Sequence, residues 1–354
     1  MAYESKLALG LVPYTAGEQP KDRKFIKLNT NENPYPPSPR VEEALKGKIE
    51  LLRLYPDTDA TELREAVAER FCVQPENVFC GNGSDEVLAF AFAAFFAGKK
   101  VYAPDISYSF YPVYASLFGA HLQQIPVLSD FSVDVGGLMQ DGPVVLANPN
   151  APTSLELDTD TIRRLADHTR EQEEILLVDE AYADFAKESA VPLTKEYENL
   201  LIVRTFSKSH SLAGLRVGYA IGSPRLIQAL RCIRDSFNSY PTDRLAQSAA
   251  AASMRDAAYT QECIRKIICA REKTKKGLRE AGIEVLESAT NFLFVRADPI
   301  DAGPIQKALR DRGILVRYFG TEKLKPYLRV SIGTQEDMEF VTKTMIELIR
   351  QKQS

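Results

Sequence analysis

Apolar residues in this chain alternate between short unbroken runs and stretches with helical spacing. Strand-like runs occur at 78–80, 100–103, 121–126, 144–147, 175–178, 201–205 and 217–221. Between several of them, the stretches 85–97, 108–118, 158–171 and 224–239 place apolar side chains three and four residues apart. Such alternation predicts a largely parallel sheet covered on both faces. Central strands buried on both sides read as continuous apolar text, as 144–147 and 175–178 do. Upstream, Pro34, Pro36, Pro37 and Pro39 exclude a helix interior or a central strand, so the first residues are expected to form an extended arm with no regular element. Helical patterning starts near Val41 and resumes over 61–71, with Thr61 as the expected cap.

After Tyr240-Pro241-Thr242 the pattern changes. One long alanine-rich helical tract is expected over 244–281, then strands at 283–286, 291–295, 314–318 and 327–332, and helices at 302–312 and 335–352. These strands are few and compatible with hairpins, which predicts a smaller α+β unit. The chain therefore divides into an arm (1–35), a large α/β domain (36–245) and a small C-terminal domain (246–354).

Composition narrows the class. Hydrophobic content of 45% and charged content of 26% over 354 residues fit an ordinary globular protein, and a net charge of -4 argues against a nucleic-acid partner. No run approaches the roughly 18 apolar residues of a membrane span. The first residues lack the layout of a signal peptide, so the cytoplasm is the expected compartment. The five cysteines form no CxxC and have no histidine at zinc-ligand spacing, so no metal is expected. His210 can line a site near Lys208 or serve structurally.

Ligands in an open parallel sheet bind beyond the carboxyl ends of the strands. Asn148 follows the run 144–147, Asp179 follows 175–178, and Lys208 follows 201–205 after a short turn. Three strands thus deliver polar residues to one edge. Thr205 and Ser207 flank the lysine, and Arg216 lies eight residues on. The segment Gly81-Asn82-Gly83-Ser84-Asp85 precedes an apolar helix; it reads either as a phosphate seat or as a plain N-cap. It is neither GxGxxG nor a P-loop, which disfavours a nicotinamide dehydrogenase. The lysine, carboxylate, hydroxyls and arginine together are the equipment for pyridoxal phosphate: an amine for its aldehyde, an acid for its ring nitrogen, and donors for its phosphate. A tyrosine stacked on the ring completes such a site. Tyr108 is the candidate, with Phe110, Tyr111 and Tyr114 as alternatives.

The segments Asp179-Glu180-Ala181-Tyr182, Ser207-Lys208 and Ala213-Gly214-Leu215-Arg216 resemble those of fold type I pyridoxal-phosphate aminotransferases, and nearly the whole chain is similar to the histidinol-phosphate aminotransferase branch. That resemblance implies a mostly parallel seven-stranded sheet in the large domain. It makes Lys208 the Schiff-base lysine and proton shuttle, pairs Asp179 with the ring nitrogen and sets Tyr182 on the ring's phenolic oxygen. It places Gly83, Ser84, Asp85, Thr205, Ser207 and Arg216 around the phosphate. Tyr55 would reach that phosphate from a neighbouring subunit, and Tyr14 would cross to the partner's substrate, which implies a homodimer with shared sites. Arg317, Arg329 and Asn291 match residues that hold the substrate. The family's ring-oxygen asparagine aligns with Ala151, leaving Asn150 or Asn148 to take its place. The implied substrates are a small amino donor and 2-oxoglutarate. Rival readings are an aromatic amino-acid aminotransferase, a threonine-phosphate decarboxylase and a non-catalytic ligand sensor; a sensor needs a DNA-binding domain, for which the stretch before residue 30 is too short.

Overall fold

A computed structural model describes residues 3–15, 17–21 and 23–353. The arm contributes β1 (Ile26–Leu28). Seven strands follow: β2 (Val78–Gly81), β3 (Lys100–Pro104), β4 (His121–Ile125), β5 (Val144–Ala147), β6 (Leu176–Asp179), β7 (Leu200–Thr205) and β8 (Gly218–Ile221). The C-terminal part adds β9 (Phe292–Arg296), β10 (Ile314–Tyr318) and β11 (Tyr327–Ser331). The seven form one sheet in the order β2-β8-β7-β6-β5-β3-β4, parallel except for β8, which runs against both its neighbours. All seven correspond to the expected runs.

The physical reason lies in burial. β5, β6 and β7 are buried at every position. Alternate residues feed two cores, one on each face: Leu176, Val178 and Ile202 on one side, Leu177, Leu201 and Val203 on the other. The smaller sheet has the order β1-β10-β11-β9, antiparallel except where β1 joins β10. It has its own core, in which Leu28, Leu293, Val316 and Leu328 meet the C-terminal helix Gln335–Gln353 through Met338 and Val341.

Four expectations need correction. The arm is not free of regular structure, because Ile26–Leu28 pairs in register with 314–316. Ile26 and Leu28 bury against the small core while Lys27 pairs with Glu32, so a three-residue strand gains enough apolar contact to hold. The tract 244–281 is two helices, Arg244–Arg255 and Ala257–Glu280, broken at Asp256. The first of them buries Ala246, Ala249, Ala250 and Met254 in the large core, so a boundary at 245–246 separates a helix from the core it packs on. The stretch 283–286 makes only one bridge, Val285 to Val295. Thr61 is the first helical residue and does not cap; its N–H donates to Asp57 Oδ2 at 2.8 Å.

Candidate active site

Sheet register brings the chemistry together. Ala147 lies opposite Asp179, and Asp179 opposite Val203, so the residues after β5, β6 and β7 emerge on one edge. β8 returns antiparallel, which sets Gly218 beside Thr205 on one side and Gly81 on the other. A side chain at Gly218 could not be accommodated: its Cβ would lie 2.2 Å from Ser84 N. Gly83 has φ +82°, and a Cβ there would meet Arg216 Nη2 at 2.7 Å. Two glycines therefore let the helix Gly83–Ala91 begin directly against Arg216 and the lysine loop.

That junction opens into a recess of about 100 Å³ lined by Ser84, Asp85, Tyr108, Asp179, Tyr182, Thr205, Ser207, Lys208 and Arg216, with Ala147, Ala151 and Ala181. Arg216 Nη1 lies 3.5 Å from Ser207 Oγ, and its Nη2 donates to Asp85 Oδ2 at 3.0 Å. The other Asp85 oxygen accepts from Tyr108 at 2.6 Å. A carboxylate held this way offers an anion nothing, but the backbone N–H groups of the same helical turn have no acceptor within the helix and supply positive potential. Thr205 Oγ1 accepts from Ser207 N–H at 3.1 Å.

The floor of the recess is Asp179. Its oxygens accept from Ala181 N–H at 3.1 Å and from the Tyr111 hydroxyl at 3.2 Å. Burial outweighs those two bonds and drives the carboxyl up to about 7, and among the described residues no ion-pair partner relieves it. Tyr111, among the alternatives to Tyr108, is therefore the prop beneath the acid. Burial, with Asp179 second, pushes its hydroxyl well above the usual phenol value, so it stays a donor.

Lys208 stands where the recess meets a larger cavity of about 550 Å³; both spaces are lined by Tyr108, Ala151, Tyr182 and Lys208. Its Nζ donates to Thr30 O at 3.2 Å and lies 5.7 Å from the Tyr182 ring centroid. Asn33 Nδ2 donates to the carbonyls of Lys208 and Ser209, both at 3.1 Å, which fixes the loop. Across the cavity, Arg317 and Arg329 face each other on β10 and β11. Arg329 Nη2 donates to Asn29 O at 3.0 Å, and its buried Nε has no partner. Desolvation, then the neighbouring Arg317, pull the Arg329 pKa down. Two guanidiniums, one with an idle buried donor, make a wall complementary to an anion.

Several sequence assignments fall elsewhere. Asn150 lines neither space: its Oδ1 accepts from Ser107 at 2.8 Å, and its Nδ2 donates to Ile106 O and Thr153 Oγ1, both at 2.9 Å. Asn148 is likewise committed to the backbone of Leu157 at 2.8 and 3.1 Å, so neither asparagine replaces the one missing at Ala151. Asn291 is fully buried behind the cavity, donating to Asn31 O at 2.9 Å. Tyr14 stacks on Phe110 with centroids 4.4 Å apart and lines the larger cavity of its own chain. Tyr55 is 79% exposed, stacked on Tyr240 and outside both spaces. His210 sits behind the loop, its Nδ1 2.9 Å from Ser253 Oγ, and desolvation holds its pKa down to about 4.

Sequence reasoning missed Asn29, Thr30 and Asn31, which line the larger cavity. The signal was the apolar pair Ile26 and Leu28 ending in a polar triplet, which reads as a strand delivering side chains to an edge. The prolines that follow obscured it.

Comparison with known proteins agrees with this geometry. The family described as aminotransferase class I and II matches residues 23–344. A histidinol-phosphate aminotransferase of Brachyspira hyodysenteriae is 47% identical over 353 residues, covering 99% of each chain. One of Clostridium acetobutylicum is 49% identical over 337 residues, 94% of this chain and 95% of that protein. The solved histidinol-phosphate aminotransferase of Sinorhizobium meliloti, in complex with pyridoxal-5'-phosphate, superposes with a TM-score of 0.89 at 26% identity, covering 99% of this chain and 98% of that one.

Proposed function

The chain belongs to the class I and II aminotransferases, and from that premise we propose that it transfers the amino group of histidinol phosphate to 2-oxoglutarate, with pyridoxal phosphate bound in the recess. The observation that carries this reading is the opposed pair Arg317 and Arg329, one cavity away from Lys208. A donor that ends in phosphate matches two guanidiniums better than one that ends in an aromatic ring.

The residues fit the cofactor. Arg216, Ser207 and the helix turn at Ser84 and Asp85 form an anion seat, Asp179 is a buried acid with no ion-pair partner among the described residues, and Lys208 lines the same recess. Once bound, pyridoxal phosphate supplies an electron-withdrawing ring that spreads the charge left when the donor carbon loses its proton. The rest is the work of the chain. Asp179 would hold its negative charge against a protonated ring nitrogen, a cation that would lower its pKa from the value that burial imposes. Lys208 Nζ would hold the cofactor covalently and, once displaced by the donor amine, would serve as the base that takes the proton from the donor carbon and later gives it back. Tyr108 would cover the ring, Tyr182 would give a hydrogen bond to its oxygen, and the two arginines would hold the far end of the donor still.

The test is a screen of amino donors in the full reaction. Purified protein loaded with pyridoxal phosphate is offered histidinol phosphate, phenylalanine and threonine phosphate in turn, with 2-oxoglutarate. Glutamate is expected from histidinol phosphate well ahead of the others. Glutamate from phenylalanine alone, or carbon dioxide from threonine phosphate, overturns the assignment.

We extend the proposal to a homodimer in which Tyr55 completes the partner's phosphate seat. The support is a large aromatic residue left exposed beside exposed Ile49, Leu52 and Leu54. Mixing Lys208→Ala and Tyr55→Phe chains builds hybrids with one intact site, so activity should rise above the mean of the two parents. No rise would mean that Tyr55 does not act across subunits.

A further inference from the structure

Three successive residues of the arm each touch a different group of the proposed site. Asn29 O accepts from Arg329 Nη2 at 3.0 Å, Thr30 O accepts from Lys208 Nζ at 3.2 Å, and Asn31 Nδ2 donates to the Tyr182 hydroxyl oxygen at 2.9 Å. The segment is held from the small sheet. Ser331 Oγ, at the end of β11, accepts from Asn31 N–H at 2.9 Å and donates to Asn31 Oδ1 at 2.8 Å, and Asn291 Nδ2 donates to Asn31 O. Asn31 is buried with φ +57°, a conformation asparagine tolerates better than most residues.

The reciprocal pair with Ser331 settles which way the Asn31 amide points. A serine hydroxyl has one proton. Ser331 Oγ accepts the Asn31 N–H and gives its own proton to Oδ1; with the amide turned over, that buried proton would lose this acceptor, so Nδ2 stays facing Tyr182. The Tyr182 oxygen therefore receives a hydrogen bond from behind, and its own proton is turned toward the recess that it lines. An acceptor at Asn31 would reverse this, drawing the Tyr182 proton away from the recess.

We infer that Asn31 is a positioning residue which, oriented by Ser331, fixes Tyr182 as a hydrogen-bond donor toward the cofactor's ring oxygen. It does not touch the reacting atoms itself. The inference rests on the recess being the seat of pyridoxal phosphate. It ties the orientation of Tyr182 to β11, the strand that carries Arg329, through Ser331 two residues away.

The test is the visible spectrum of the bound cofactor as a function of pH, read without substrate. A donor on the ring oxygen stabilises its anionic form and lowers the pH at which the lysine-bound chromophore gives up its proton. Asn31→Asp keeps size and backbone tolerance but replaces the donor with an acceptor. It should raise that midpoint by about one pH unit, the scale of one charge-assisted hydrogen bond. Ser331→Ala, which frees the amide to turn over, should raise it by less. In a Tyr182→Phe background Asn31→Asp should cause no further shift, because the hydroxyl it acts through is gone. An unshifted midpoint in Asn31→Asp, or an equal shift with and without the Tyr182 hydroxyl, overturns the inference and leaves the cofactor seat standing. Wild-type protein that takes up no pyridoxal phosphate overturns both. Should Asn31→Asp fail to fold, Ser331→Ala decides by the same readout: a raised midpoint supports the inference and an unmoved one overturns it.

Discussion

Replacing Lys208 with alanine should reduce transamination by at least about 10⁴-fold, because the change removes the covalent attachment and the proton carrier at once. The choice of lysine follows from position. Lys208 borders both the recess and the larger cavity, whereas Lys323 borders the larger one alone and is ion-paired with Asp105 at 3.0 Å. The Lys208 amine is held only by one carbonyl, that of Thr30, among the bonds of the described residues, so no carboxylate competes for it. Borohydride reduction of the loaded wild-type protein, followed by peptide mass spectrometry, should fix the cofactor on Lys208. The Lys208→Ala protein should carry no adduct yet still bind pyridoxal phosphate reversibly through Arg216, Ser207 and the first helical turn. An adduct on Lys323, or turnover that survives the substitution, would discard the assignment.

The second large effect is expected at Asp179. On the proposed role, Asp179→Ala removes the negative charge that would keep the ring nitrogen protonated, and removal of the donor proton should slow by roughly 10³-fold, the scale of a lost preorganised charge in a dry site. A near-normal rate would end the electron-sink role. The same residue gives a stability signature in protein free of cofactor. Its folded carboxyl is raised from the ordinary 3.8 to about 7. Between those values the folded state binds a proton that the unfolded state has released. Unfolding free energy should therefore fall as pH rises through that window, by about 1.4 kcal/mol per unit at most. The contribution is fully present below the unfolded pKa and lost above about 7. Urea unfolding across the window should show this slope in the wild type and a flatter one in Asp179→Asn. Equal slopes would mean that the acid titrates normally.

The amino-acid sequence alone determined the strands of the large sheet and the edge at which the chemistry gathers. Apolar runs such as 175–178 bury on both faces only as central strands, and a strand that ends in Asp179 must deliver it at the carboxyl edge. Tertiary structure decided what depends on partners distant in sequence. The glycine at 218 belongs to this level, since a side chain there would collide with Ser84, a residue far away in the chain. Ile26–Leu28 becomes a strand because β10, nearly three hundred residues away, offers it a free edge. Asn150 and Asn291 carry the right functional groups, but Ser107, Thr153 and Asn31 claim them, and no periodicity encodes which neighbour arrives first. Sequence fixes what a residue can offer; packing decides who accepts it.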